Sequence, residues 1–146
     1  MKTFLVIFAI IAAVVADEWV PKKFEEIKGI RAECLASNPL STEQVDSLKA
    51  FIYPDEEPVR KYIQCCSEKL EIFCEHEGYH VDRIVKQFKL KMDEAEATAI
   101  VEKCVDKNEQ KSSADVWVFR GHKCLMGSKI GDGIKEFVQK AMAKKA

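Results

Sequence analysis

The chain has 146 residues, with 23 basic and 24 acidic side chains and a net charge of −1, a length that suits one domain of ordinary size. Hydrophobic residues make up 47% and charged residues 32%, which excludes a disordered chain, and the near-neutral balance removes any global pull towards nucleic acid or an anionic membrane. Six cysteines stand beside only 6 Gly and 4 Pro, too little punctuation for a sandwich or barrel.

The first element is a leader. Lys2 precedes an apolar run from Phe4 to Val15 that ends Val14-Val15-Ala16, and a positive start, an apolar stretch and small residues at −3 and −1 make a secretory signal peptide. As a helix that run spans about 18 Å, short of a hydrocarbon core of about 30 Å. Residues 1–16 are therefore expected to be cleaved after Ala16, leaving the domain 17–146 with a net charge of −2. The mature chain is expected to be secreted and extracellular, with no stable membrane insertion, so its cysteines meet an oxidising environment.

From there the apolar residues recur at i, i+3, i+4 and i+7, the helical period. A first helix is expected over about Pro21 to Leu35, with Phe24, Ile27, Ile30 and Cys34 inward, until Asn38-Pro39 breaks it. Ser41 with Gln44 is a capping-box signature for a second, whose inward residues are Val45, Leu48 and Phe51. A third runs from about Pro58 to Phe73 on the stripe Val59, Tyr62, Ile63, Cys66, Leu70, Phe73, and Gly78 ends that segment. A short fourth carries Val81, Ile84, Val85 and Phe88. Asp93 with Glu96 caps a fifth containing Ala97, Ile100, Val101, Cys104 and Val105. Ser112-Ser113 starts a sixth with Trp117, Phe119 and Cys124, and Ile130 to Lys145 repeats the period. No run alternates as a strand does. The fold class is all-α, with six or seven short helices and no repeats.

The cysteines lie at 34, 65, 66, 74, 104 and 124, and six allow fifteen complete pairings. Cys66 sits on the apolar stripe of the third helix, with Cys65 about 100° around from it. If that helix continues, Cys66 and Cys74 are roughly 12 Å apart along it, beyond a disulfide's reach.

In spacing the chain resembles the insect odorant-binding proteins, the pheromone- and general-odorant-binding family. That family has a signal peptide, six helices around an apolar cavity, and six cysteines paired first–third, second–fifth and fourth–sixth. Cys34 matches the first, Cys65 the third, Cys104 the fourth and Cys124 the sixth, while the second falls on Lys61 in KYIQC and the fifth on Asp115 in DVWVFRGHKC. The intervals of 26, 3, 38, 10 and 8 residues suit the family. The two missing cysteines are the pair that would have bonded each other, which resembles the minus-cysteine subclass. The resemblance covers essentially the whole mature chain, and it implies the bridges Cys34–Cys65 and Cys104–Cys124.

At the site of the absent bridge, Lys61 and Asp115 are expected either to form an ion pair, or to be, respectively, solvated and the cap of the sixth helix. Cys66 reads as a small buried hydrophobe. Cys74 is a free thiol, or joins Cys66 if the helix breaks early. Cys74-Glu-His76 with His80 superficially suggests a metal site, but Gly78 interrupts any shared helical face, and no metal and no cofactor are expected. No nucleophile elbow, HExxH or phosphate loop is present, so no enzyme is expected.

The resemblance implies reversible carriage of a small hydrophobic ligand, an odorant, a pheromone or a long-chain fatty acid, with a membrane receptor as a further partner. On the family's plan the fourth, fifth and sixth helices and the C-terminal segment wall the pocket. The candidate ligand-binding residues are Ile84, Phe88, Met92, Ile100, Trp117, Phe119, Leu125 and Phe137, with Phe51 and Tyr62 behind them, although plain core packing would show the same period. Gly121 is expected to leave volume open beside Trp117. Ile134 to Met142 reads as a lid over the mouth or as an amphipathic tail, and protonation of His80 or His122 near pH 5–6 as a device to loosen it. The alternative is a secreted interaction protein of salivary, seminal or toxin-like kind. A saposin-like domain, also helical with six cysteines, spaces them differently.

Overall fold

The computed structural model describes residues 18–144, so the expected leader lies outside the described residues. The chain enters beside Gln87, where the Lys22 N–H donates to Gln87 Oε1 at 2.7 Å and Gln87 Nε2 returns a bond to the Lys22 carbonyl at 3.1 Å. Seven helices follow: α1 Phe24–Ser37, α2 Thr42–Lys49, α3 Glu57–Lys69, α4 Val81–Phe88, α5 Glu94–Cys104, α6 Ala114–Met126 and α7 Lys129–Ala143. The all-α class holds. Caps set several starts. Ser41 Oγ accepts from the Gln44 N–H while Gln44 Oε1 accepts from the Ser41 N–H, and Asp93 accepts from the N–H groups of Ala95 and Glu96, each satisfying amides that a helix start leaves unpaired.

The link from α3 to α4 departs from the sequence expectation. The third helix stops at Lys69 instead of Phe73, Glu71 takes φ +58°, and two short strands follow, β1 Phe73–Cys74 and β2 Gly78–Tyr79. They pair antiparallel, Phe73 with Tyr79 and Cys74 with Gly78. Leu70, Ile72 and Phe73 are all buried, but on opposite sides of a chain that has left the helix: Leu70 and Ile72 join one core cluster and Phe73 the other. A two-residue strand is too short to show alternation, which is why the period looked helical up to Phe73.

One core cluster gathers Cys34, Leu48, Val59, Tyr62, Ile63 and Phe73 against Trp117, Val118 and Phe119. The other gathers Ile84, Val85, Ala97 and Val101 with Leu125 and Ile130. α6 serves both, and for this reason it buries Trp117, Val118, Phe119, Gly121, Leu125 and Met126 around its circumference. Disulfides staple the frame. Cys34–Cys65 ties α1 to α3 with Cα atoms 5.7 Å apart, and Cys104–Cys124 ties α5 to α6 at 5.3 Å. Cys66 and Cys74 are free. The early end of α3 does not bring them together, because it carries Cys74 onto the hairpin.

The expected Lys61–Asp115 pair does not form. Lys61 bonds Glu57 one turn back at 2.7 Å and is exposed, whereas Asp115 accepts from Arg60 Nε at 2.9 Å, with Arg60 also reaching Asp55. One residue on a helix is a rotation of about 100°, and Arg60, not Lys61, faces α6. Nor does Asp115 cap α6, since Ser113 occupies the N-cap position.

Candidate ligand-binding cleft

An open cleft of about 690 Å³ lies between α7 and the link joining α4 to α5. Its floor is apolar: Phe88 closes α4, Leu90 and Met92 come from the link, and Ile130 and Phe137 from α7. Leu90 is held at φ +50° and is 42% exposed, and Phe137 is 47% exposed. Gly133 lies close under Leu90: a Cβ there would sit 3.3 Å from Leu90 Cδ1, slightly tight against the end of that side chain. Behind the floor, Phe137 meets Phe24 of α1 edge to face at 5.9 Å.

The rim is charged and largely paired within itself. Lys89 bonds Glu94 at 3.1 Å, Lys129 bonds Glu96 at 2.5 Å and Lys140 bonds Glu136. Lys140, with Lys91 adding a smaller field, holds the Glu136 carboxyl below the usual range. The volume is that of a small-molecule pocket, about 300–1,000 Å³, and an apolar floor inside a charged rim takes an apolar body while leaving a polar end in water.

Of the ten candidate ligand-binding residues, Phe88, Met92 and Phe137 come together in this cleft. Ile84, Ile100 and Leu125 stand in the core cluster beside it. Tyr62 and Phe119 belong to the other cluster, where the Tyr62 hydroxyl accepts from Arg31 Nε at 3.2 Å. Phe51 is half-buried at the end of α2 with φ +58°. Trp117 lines a second depression of about 400 Å³, where the rings of Trp117 and Tyr79 and the Val105 side chain stand beside His76, Glu77, Glu102, Asp106 and Lys107, a mixed lining of apolar and charged groups. Gly121 does make room, but the Tyr79 ring fills it, its hydroxyl donating to the Val118 carbonyl at 2.5 Å. Leu90 and Ile130 were not among the candidates. The signal for Leu90 was present in KLKMD, where two apolar residues sit in a charged link outside any helical period.

Among the described residues no helix is long and apolar enough to cross a membrane. The model of the PBP/GOBP family matches residues 16–128, ending one residue before α7. Odorant-binding protein 22 of Aedes aegypti is 34% identical over 130 residues, 89% of this chain and 93% of the relative. General odorant-binding protein 99a of Drosophila melanogaster is 32% identical over 148 residues, covering 100% of both. General odorant-binding protein 99b of the same fly is 28% identical over 90 residues, 58% of this chain and 60% of the relative.

Proposed function

The chain belongs to the PBP/GOBP family, and we propose that it is a secreted carrier that reversibly binds one small hydrophobic ligand in the cleft between the α4–α5 link and α7. The observation that carries this is the apolar floor of Phe88, Leu90, Met92, Ile130 and Phe137 inside a charged surface. A ligand laid on it leaves water at about 25 cal/mol per Å² of apolar surface, enough for micromolar affinity with a long acyl chain after ordering costs. No covalent step enters, so loading and release are both equilibria. Phe88, Met92 and Phe137 are the contacts, with Ile84, Ile100 and Leu125 backing the wall. Residues 1–16 act as the leader and 17–146 as the secreted domain. Two bridges, with Lys61 and Asp115 in the positions of the second and fifth family cysteines, support the minus-cysteine subclass.

The test is displacement of N-phenyl-1-naphthylamine from the purified chain by a sixteen-carbon fatty acid. Saturable uptake and displacement are expected, with Phe137→Asp weakening both about tenfold or more, the value of one buried aromatic contact. Uptake of neither dye nor acid overturns carriage and leaves the secreted interaction protein as the reading.

A further inference from the structure

The hairpin between α3 and α4 assembles three donor side chains. Cys74 lies opposite Gly78 across the two strands, so residues 75 to 77 form the tight loop that joins them. Cys74 Sγ, a Glu77 carboxylate oxygen and a His80 ring nitrogen all lie within 4.8 Å of one another. The Glu77 N–H donates to Cys74 Sγ at 3.3 Å, and His80 Nδ1 is 3.8 Å from Glu77 Oε2. We propose that this cluster binds one divalent cation of the zinc class through the Cys74 thiolate, the Glu77 carboxylate and the His80 imidazole, with a fourth position open to water.

The ligand chemistry selects the ion. One sulfur, one nitrogen and one oxygen suit borderline Zn(II), whereas Mg(II) and Ca(II) take oxygen sets. Tetrahedral bonds of about 2.0–2.3 Å put neighbouring donors roughly 3.3–3.8 Å apart, so donors that now lie within 4.8 Å of one another have to draw in by about 1 Å. The scaffold is firm. Gly78 holds φ +80° against the Trp117 ring, where a Cβ would overlap it. The His80 N–H donates to the Ile72 carbonyl at 2.9 Å, and the His80 carbonyl accepts the Ile84 N–H that starts α4. Cys74 and His80 are half-buried and Glu77 is exposed, which leaves a path for the ion and a face for water. Binding deprotonates Cys74 and releases its proton to solvent.

A metal site was set aside on the sequence because Gly78 would break a helix carrying Cys74, His76 and His80. The segment is a hairpin, and the hairpin replaces His76, which is exposed, with Glu77 as the third donor.

The test is titration of the purified chain, with Cys74 alkylatable, by Co(II) as a coloured stand-in. One equivalent is expected to raise a thiolate-to-cobalt charge-transfer band with tetrahedral d–d bands, and Zn(II) is expected to bleach them. Cys74→Ser should abolish the charge-transfer band, and Glu77→Gln and His80→Ala should weaken binding about tenfold or more, while Cys66→Ser leaves it intact. No charge-transfer band in the parent chain, or one that survives Cys74→Ser, overturns the proposal.

Discussion

His122 stands on α6 with its ring edge-on to Tyr53 at 4.4 Å and its Nε2 buried without a hydrogen-bond partner. Burial alone lowers its pKa to about 4 from 6.5, so it stays neutral through the pH 5–6 window expected of a switch. The unfolded chain binds a proton here between those values and the folded one does not. Stability from this group is therefore complete above about pH 6.5 and declines as pH falls to about 4, by about 3 kcal/mol in all. Urea midpoints measured from pH 7.5 to 4.5 should fall in the parent chain and fall much less in His122→Phe; equal slopes would assign the acid sensitivity elsewhere. Asp115 titrates lower. Its burial raises the pKa, but the bonds from Ser113 and Arg60 outweigh this, and the net shift is downward. A double-mutant cycle on Arg60 and Asp115 should return a coupling of about 0.5–1 kcal/mol, and the same cycle on Lys61 and Asp115 a value near zero. Asp115 was legible in the sequence as an acidic residue facing α3. Its partner was not, because which of two adjacent cations faces α6 depends on the rotation of α3 about its axis.

The helices were largely legible, since caps and the 3.6-residue period are local. Ser41 with Gln44 and Asp93 with its following amides appear where the sequence places them. The hairpin was not, because its stability comes from Trp117 behind Gly78 and from Tyr79 filling the space at Gly121, contacts with a helix some forty residues on. A further tertiary contact closes the α5–α6 link, where Trp117 Nε1 donates to the Asp106 carbonyl at 3.0 Å and Arg120 holds the Asp106 carboxylate through Nε and Nη2. α7 is present as the period requires, and it forms one wall of the cleft. Removing residues after Gly127 should weaken ligand binding. It also removes Ile130, 1% exposed, so a shorter truncation after Glu136 isolates the wall by deleting Phe137 alone from the floor. Several-fold weaker probe binding with an unchanged melting temperature is expected, and unchanged affinity would take Phe137 and the C-terminal half of α7 out of the site.

At the scale of the molecule, two bridges join α1 to α3 and α5 to α6, and the α3–α6 seam is left to the Arg60–Asp115 pair and side-chain packing. Replacing both Cys104 and Cys124 with Ser should cost about 3 kcal/mol, as chain entropy for a loop of 20 residues suggests, read as a lower denaturant midpoint. Under non-reducing conditions, peptide mapping should find Cys66 and Cys74 as the alkylatable thiols. Burial pushes the Cys66 thiol up to about 11, so it should react far more slowly than Cys74 on the hairpin. Equal rates would mean that α3 opens readily at that point.

The sequence by itself determined the helical class, most helix starts and, through cysteine spacing, the family and its two staples. These depend on local hydrogen bonding and on intervals along the chain. Tertiary structure alone decided that Phe88, Met92 and Phe137 meet in a cleft while Tyr62 and Phe119 pack the core. One period serves both roles, and an apolar residue on a helix face lines whatever its neighbours leave open. The same holds for the cluster of Cys74, Glu77 and His80: its spacing is read on a helix or a hairpin, and only packing against Trp117 selected the hairpin.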